Sequence, residues 1–282
     1  MGEKELLYTY IIRYHHYSGN KKLESSFKEF FGRMEDINTV LYPVHLEPCL
    51  KALRIESEEY IKNHSVLPYY KVFMKQEVYE SICKDMFYGT KAYTSRLKSN
   101  QHHVTKTKCN RLFYCPVCLS EDMCYENIKI HHQLNEVHVC TRHKCYLNSV
   151  PIKPYKKLLY MEDWNMEVRT CENEPVLLQT ALDVKYIIEN QPELNNSTLR
   201  ARLLDEAIRR KIYKGGSWNE NIDTQWKSFY EKLPLEYNKY RDNLYFNKFA
   251  AHRPLVGVDA VEYLLFIQSL FGSFERFVEI CL

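Results

Sequence analysis

Four residues in the middle of the chain constrain its fold more than any others: Cys115, Cys118, Cys140 and His143. Cys115-Pro116-Val117-Cys118 is a C-x2-C knuckle, and Cys140-Thr141-Arg142-His143 is a C-x2-H pair twenty-one residues further on. A two-residue gap lets the chain turn so that both side chains reach one ion at about 2.0–2.3 Å, and two such pairs complete a tetrahedral Zn2+ site. Four protein ligands leave no open coordination position, so the expected cofactor is one structural zinc. Such a site contributes roughly 10–16 kcal/mol of apparent folding energy, which a stretch too short to bury its own core needs.

The neighbourhood leaves ligand alternatives open. Cys145 is an alternative to His143, and Cys124 with one of His131, His132 or His138 is a candidate for a second ion; Cys109 also lies nearby. His131-His132 sits between the ligand pairs, where zinc-bound nucleases of the HNH type place a catalytic base. Only Asn148 offers the further polar group such a site needs. The plainer reading makes the two histidines the polar edge of a strand. No phosphate-binding glycine loop, dinucleotide fingerprint or nucleophile elbow occurs, and the acidic residues show no transposase-like or polymerase-like spacing. The sequence therefore points away from an enzyme.

The 282 residues suggest about two domains. A net charge of +3 is too small to argue nucleic-acid binding from the total, so any DNA site must come from local clusters of Lys and Arg. The acidic start of the chain reads as no signal peptide, and Leu6 does not suit a myristoylation signal after Gly2. The longest apolar stretch, 261–274, is interrupted by Glu262, Gln268 and Ser269 and is too short to span a membrane. The expectation is a cytoplasmic protein with no membrane partner, whose ten cysteines stay reduced.

Apolar spacing predicts helices over 5–18, 23–31, 46–60, 79–87, 176–189, 199–212, 224–233 and 258–282, with a break near Gly272. Pro68 predicts a turn or extended piece at 64–68. The fold class expected is mainly α, with helix-turn-helix-like helical domains around a small α+β zinc finger. The division expected is 1–100 N-terminal helical, 101–150 zinc finger, 151–195 connector and helix, and 196–282 C-terminal helical with a second helix-turn-helix, perhaps truncated.

Three motifs in order resemble the TniQ/TnsD family of transposition target-selection proteins. Tyr114-Cys115-Pro116-Val117-Cys118-Leu119 with Cys140-Thr141-Arg142-His143 is similar to the family's zinc signature. Leu6-Leu7-Tyr8-Thr9 through Ile12-Arg13, Ser18-Gly19 and Phe30-Phe31-Gly32 resembles its opening pattern. Residues 61–70, with His64, Leu67 and Pro68, resemble its internal proline segment, and Leu264-Leu265-Phe266-Ile267 loosely resembles a later apolar helix. The first three cover about residues 5–147. Lys144 stands where the family usually has glycine, and a further cysteine pair common after the first finger is absent near 150–170, so no second zinc is expected there.

The resemblance implies a target selector for a cut-and-paste transposon, one that binds double-stranded DNA or a guide-RNA complex and recruits an AAA+ ATPase regulator. An adaptor that binds only protein or ribonucleoprotein is the alternative function. Candidate phosphate contacts are Lys91, Arg96, Lys98, Lys106, Lys108 and Arg111 beside the finger, and Arg200, Arg202, Arg209, Arg210 and Lys211 on a later helix. The first helix carries Tyr8, Tyr10, Tyr14 and Tyr17. Tyr8 and Tyr10 sit about 200° apart at 3.6 residues per turn. Placing Tyr10, Tyr14 and Tyr17 inward with Ile11 leaves Tyr8 and Arg13 as the candidate partner-binding pair.

Overall fold

The computed structural model describes residues 4–32, 43, 45–89, 111–121, 124–125, 128–153, 155–211, 213–214, 217–218, 228–240 and 260–282. Over these residues the chain is mainly helical, with two small antiparallel strand pairs, the first flanking the cysteine–histidine cluster. No helix among the described residues is long and apolar enough to cross a membrane.

The first two helices, α1 (Leu7–Ser18) and α2 (Leu23–Phe31), end at Gly19 and Gly32, both left-handed at φ 71°. Glycine adopts this conformation without a Cβ penalty. The buried stripe of α1 is Tyr8, Ile11, Ile12 and His15, an i, i+3, i+4, i+7 pattern. α2 covers it: the Tyr8 ring lies 4.7 Å from Phe27, and His15 Nδ1 meets Ser26 Oγ at 2.8 Å.

The helix expected over 46–60 is two helices, α3 (Leu46–Leu53) and α4 (Ser57–His64). Arg54 turns left-handed at φ 55°, and the Ile55 N–H bonds back to Leu50 O at 3.0 Å, the closing bond of a helix C-cap. Of the turn or extended piece expected at 64–68, Ser65 and Val66 make a bend, whereas Leu67 and Pro68 open the first turn of α5 (Leu67–Phe73). There the missing proline N–H costs nothing, because first-turn donors have no intrahelical partner. α6 (Gln76–Tyr88) follows, capped by Gly89.

Strand β1 (Arg111–Tyr114) leads into the short helix α7 (Pro116–Glu121), and β2 (Asn148–Pro151) returns antiparallel to β1, with Arg111 opposite Pro151 and Tyr114 opposite Asn148. The edge of β1 is completed by a side chain. Gln133, 1% exposed, donates to Phe113 O at 2.7 Å and accepts the Phe113 N–H at 2.9 Å. Gln133 closes a 3-10 turn, Ile130–Gln133, so the strand edge expected for His131 and His132 is a helical turn.

The rest of the chain supplies α8 (Pro175–Asn190), α9 (Asn196–Arg209), the two-residue pair β3 (Tyr213–Lys214) and β4 (Ser217–Trp218), and the last helices α10 (Ala260–Phe271) and α11 (Phe274–Cys281). Asn195 and Thr198 form a reciprocal capping box at the start of α9. Gly272, at φ 85°, makes the break expected between α10 and α11. α5 joins this half to the first: Phe73 packs on Tyr263 at 5.8 Å and Phe274 at 6.4 Å, and the Asn196 N–H donates to Met74 O at 3.0 Å. The buried side chains form one apolar cluster that runs from Leu6 to Phe277.

One carboxylate fastens the helical layer. Asp183 on α8 is 1% exposed and accepts from Gln179 Nε2 (2.9 Å), Gln268 Nε2 (2.9 Å) and the Phe274 N–H (3.0 Å). Burial pushes its carboxyl up to about 6, although these bonds pull the other way. The folded state therefore holds a proton that the unfolded state has released, and the stability this gives fades as pH rises through 6. Asp183→Asn keeps an acceptor for Phe274, and its amide can donate to Gln268 Oε1, which has no partner. Denaturant unfolding should show wild type losing about 1 kcal/mol relative to Asp183→Asn between pH 5 and pH 7; parallel profiles would refute the assignment.

Candidate metal centre

β1 and α7 deliver the first ligand pair, and the tight turn before β2 delivers the second. The ligating atoms of Cys115, Cys118, Cys140 and His143 all lie within 4.8 Å of one another. Cys118 Sγ is 3.8 Å from Cys140 Sγ, and His143 Nδ1 lies 3.4, 3.2 and 3.8 Å from the sulfurs of Cys115, Cys118 and Cys140. Two sulfurs bound at about 2.3 Å to one tetrahedral ion sit about 3.8 Å apart. The donor set and its spacing thus fit Zn2+, and the four residues can hold a metal ion.

The backbone makes this convergence cheap. The Cys118 N–H points at Cys115 Sγ (3.4 Å), the usual knuckle bond to a thiolate. In the second knuckle the Lys144 N–H bonds Cys140 O (2.9 Å), and the Cys140 N–H bonds Cys145 O (2.9 Å). Lys144 sits at φ 50°. The turn is therefore made by a lysine where the family usually has glycine, in a conformation that costs a non-glycine residue roughly 1–2 kcal/mol.

The clustered thiols share protons. The Cys115 thiol is held far below its ordinary range, chiefly by a hydrogen bond from Cys118 and then one from Cys140, while Cys118 is pushed up in turn. Cys140 is lowered too, to about 7, and buried thiolates beside one another need a cation in place of the remaining protons. Binding a divalent ion would replace those protons, so affinity should weaken as pH falls.

A supporting layer was not anticipated from the sequence. His143 Nε2 lies 3.2 Å from Glu121 Oε1, at the end of α7. With Nε2–H donating there, Nδ1 presents its lone pair to the sulfurs. Arg142 grips the same carboxylate with both guanidinium nitrogens, at 2.7 and 3.0 Å. The signal was available: Glu121 follows Cys118 by three residues, one helical turn. Cys145, the alternative ligand, has its sulfur 3.5 Å from Cys115 Sγ but lies outside the four-residue cluster. Burial pushes its thiol up to about 12, which suits a neutral S–H donor beside the ligands. Cys124 is half-buried and is not part of the cluster. The Asn148 amide donates to Asn165 O and Glu167 O at 2.8 and 2.9 Å, an anchoring role.

The other candidate residues are placed differently from expectation. Lys91, Arg96, Lys98, Lys106 and Lys108 lie outside the described residues. Arg111 is spent across the strand pair on Ser149 Oγ (2.8 Å) and Ser149 O (2.9 Å). At the end of α9, Arg209 and the C-cap Arg210 both pair with the buried Glu206, and Arg210 also donates to Leu270 O (2.8 Å) over the Phe271 ring. Arg202 and Lys211 are exposed, and Arg200 is half-exposed. The exposed placement expected for Tyr8 is overturned: it is 5% exposed beneath α2, while Tyr17 is 85% exposed. The real stripe is set by where α2 packs, not by the tyrosine spacing. Arg13 donates to the buried Glu5 at 2.8 Å and lies over the Tyr10 ring.

A family model described as TniQ matches residues 1–147, more than half of the chain and the whole cysteine–histidine cluster. No curated protein matches the chain.

Two substitutions separate ligands from their supports. Glu121→Gln should weaken zinc affinity about tenfold or more in a competitive chelator titration, as loss of such outer partners does; unchanged affinity would remove Glu121 from the site. Cys145→Ser should keep the metal stoichiometry of wild type, and loss of the metal would make Cys145 a ligand. Lys144→Gly should raise the stability of the metal-loaded protein by roughly 0.5–1 kcal/mol in denaturant melts, the left-handed penalty less the glycine entropy cost.

Proposed function

Because the chain belongs to the TniQ family, whose members are transposition-associated DNA-binding proteins, we propose that it selects insertion sites for a cut-and-paste transposon. In this reading it binds double-stranded DNA, or a guide-RNA complex seated on DNA, and recruits an AAA+ ATPase regulator. It works without catalytic residues of its own, in the cytoplasm, with one structural zinc in the Cys115, Cys118, Cys140 and His143 cluster. The observation that carries the proposal is the match over residues 1–147, which contains that cluster. A fully protein-ligated tetrahedral site positions chain segments and offers no vacancy for substrate chemistry.

The DNA contacts proposed are the basic strip around Lys91, Arg96, Lys98, Lys106 and Lys108, together with Arg200, Arg202 and Lys211 near α9. Arg209, Arg210 and Arg111 already have partners within the fold, so each would need to exchange a bond to reach phosphate. A helix-turn-helix role for α1–α2 belongs to the same proposal, and so does a recruiting surface on the exposed side of α1 around Tyr17. Tyrosine anchors of that kind are favoured at protein interfaces.

The test is duplex binding as a function of salt. If about six phosphates are neutralised, log K should fall with log[salt] at a slope of roughly −5. Replacing Arg200, Arg202 and Lys211 together with Ala should flatten the slope by about 3 units and weaken all sequences alike. Absence of salt-dependent duplex binding in the zinc-loaded protein would leave the protein-only adaptor reading in its place.

A further inference from the structure

A cavity of about 480 Å3 opens beside the metal cluster. Its walls come from four separate parts of the chain: the segment before α1, α7 at Cys118, the finger between Lys129 and Arg142, and the last turns of α8. Lys4, Lys129 and Lys185 line it, with Glu189 as the opposing carboxylate, 3.9 Å from Lys185. Arg142 also lines it, though its guanidinium is committed to Glu121. The wall nearest the metal ligands is made by His131 and His132, whose rings meet edge to face at 4.5 Å.

The histidines are the second observation. His132 is 1% exposed, and apart from the Cys140 sulfur its ring nitrogens meet no hydrogen-bond partner; His131 Nε2 is also buried without one. His132 does lie close enough to Cys140 to favour its thiolate. One nitrogen turned to that sulfur still leaves the other unsatisfied. A buried polar nitrogen without a partner costs about 1–3 kcal/mol, and such groups in native folds usually mark a missing water, ion or ligand.

We propose that this cavity binds a phosphate group, and that in the working complex the phosphate belongs to a nucleic-acid backbone. The three lysine ammonium groups only donate, and each imidazole can turn an N–H to the cavity, so an acceptor suits the occupant. They converge from three chain segments, so its oxygens must point in several directions, as those of phosphate do and those of a planar carboxylate do not. A cationic recess in a low-dielectric wall also concentrates anions. The cavity would then tie DNA to the finger, to α8 and to the chain's N-terminal segment at once. It shares its wall with Cys118 and Cys140, so metal loading would shape it. The nucleic-acid source rests on the function proposed above; the phosphate chemistry rests on the cavity alone.

The experiment uses the full zinc-loaded chain, inorganic phosphate and a short duplex of arbitrary sequence. Imidazole resonances of His131 and His132 are followed by NMR during phosphate titration, and duplex affinity is measured by fluorescence anisotropy across salt concentrations. Phosphate should shift both imidazoles saturably and compete with the duplex. The Lys4→Ala, Lys129→Ala, Lys185→Ala variant, with zinc content equal to wild type, should bind the duplex about tenfold more weakly, with a salt slope smaller by about 1 unit, the loss of one phosphate contact. Glu189→Gln, which removes the opposing charge, should tighten phosphate binding; it needs no loss of lysines and so guards against a misfolded triple variant.

Saturable imidazole shifts without any duplex binding by wild type would keep the phosphate site, assign it to a soluble phosphate, and overturn its nucleic-acid source. Duplex binding that the triple variant retains in full would overturn the cavity while sparing the proposed function. No saturable shift with phosphate, no tightening in Glu189→Gln, or displacement by a polyglutamate peptide but not by phosphate would each overturn the proposal.

Discussion

Three sulfurs and an imidazole nitrogen held within 4.8 Å of one another create a problem that only a cation resolves well. As thiols they must share protons, and Cys115 is favoured as the thiolate chiefly by Cys118 and then by Cys140. As thiolates they would repel in a buried site. A tetrahedral divalent ion satisfies all four at the separations observed. The surroundings are built to that end: the knuckle N–H bond to Cys115, the left-handed Lys144, and the Glu121–Arg142 pair that sets the His143 tautomer. The strand pair and the Gln133 side chain close this unit on itself, because about forty residues have too little apolar surface to do so alone.

What surrounds the finger is ordinary helical packing, and it depends on the finger for its shape at one edge. The segment before α1 bridges to Lys129 through Glu5, Tyr237 donates to Glu136 O at 2.7 Å, and α8 lies against the 3-10 turn of His131 and His132. α5, Asn196 and Asp183 then fasten the C-terminal helices to the same core. The metal cluster therefore sits where the family-matched half and the later helices meet, and the cationic cavity lies at that junction.

How much of this was legible in the sequence follows from the range of each interaction. The ligand set was readable because a C-x2-C and a C-x2-H pair are local constraints that metal chemistry leaves few ways to satisfy. The helices α1, α2, α8 and α9, and the break at Gly272, were readable because caps and 3.6-residue periodicity are local too. The face of α1 was not. Tyr10, Tyr14 and Tyr17 suggested one inward stripe with Ile11, but α2 chose the stripe of Tyr8, Ile11, Ile12 and His15, and nothing in 7–18 alone encodes that choice. The break at Arg54 was hidden because a non-glycine residue made the left-handed turn, and Pro68 misled because a proline reads the same before a helix as inside its first turn. The partners of Arg209 and Arg210 were half visible, since Glu206 stands three and four residues before them, whereas Leu270 O is sixty residues away from Arg210. Charge clusters in a sequence overstate the charge available to a ligand for this reason.

The central claim is that a single bound zinc organises the chain. Native mass spectrometry of the purified protein, paired with far-ultraviolet circular dichroism before and after chelation, tests it most directly. The account predicts one zinc per chain, lost together with the order of the finger on chelation and regained on adding back the metal. A protein that carries no metal and still unfolds cooperatively, with the same stability before and after chelator treatment, would contradict it.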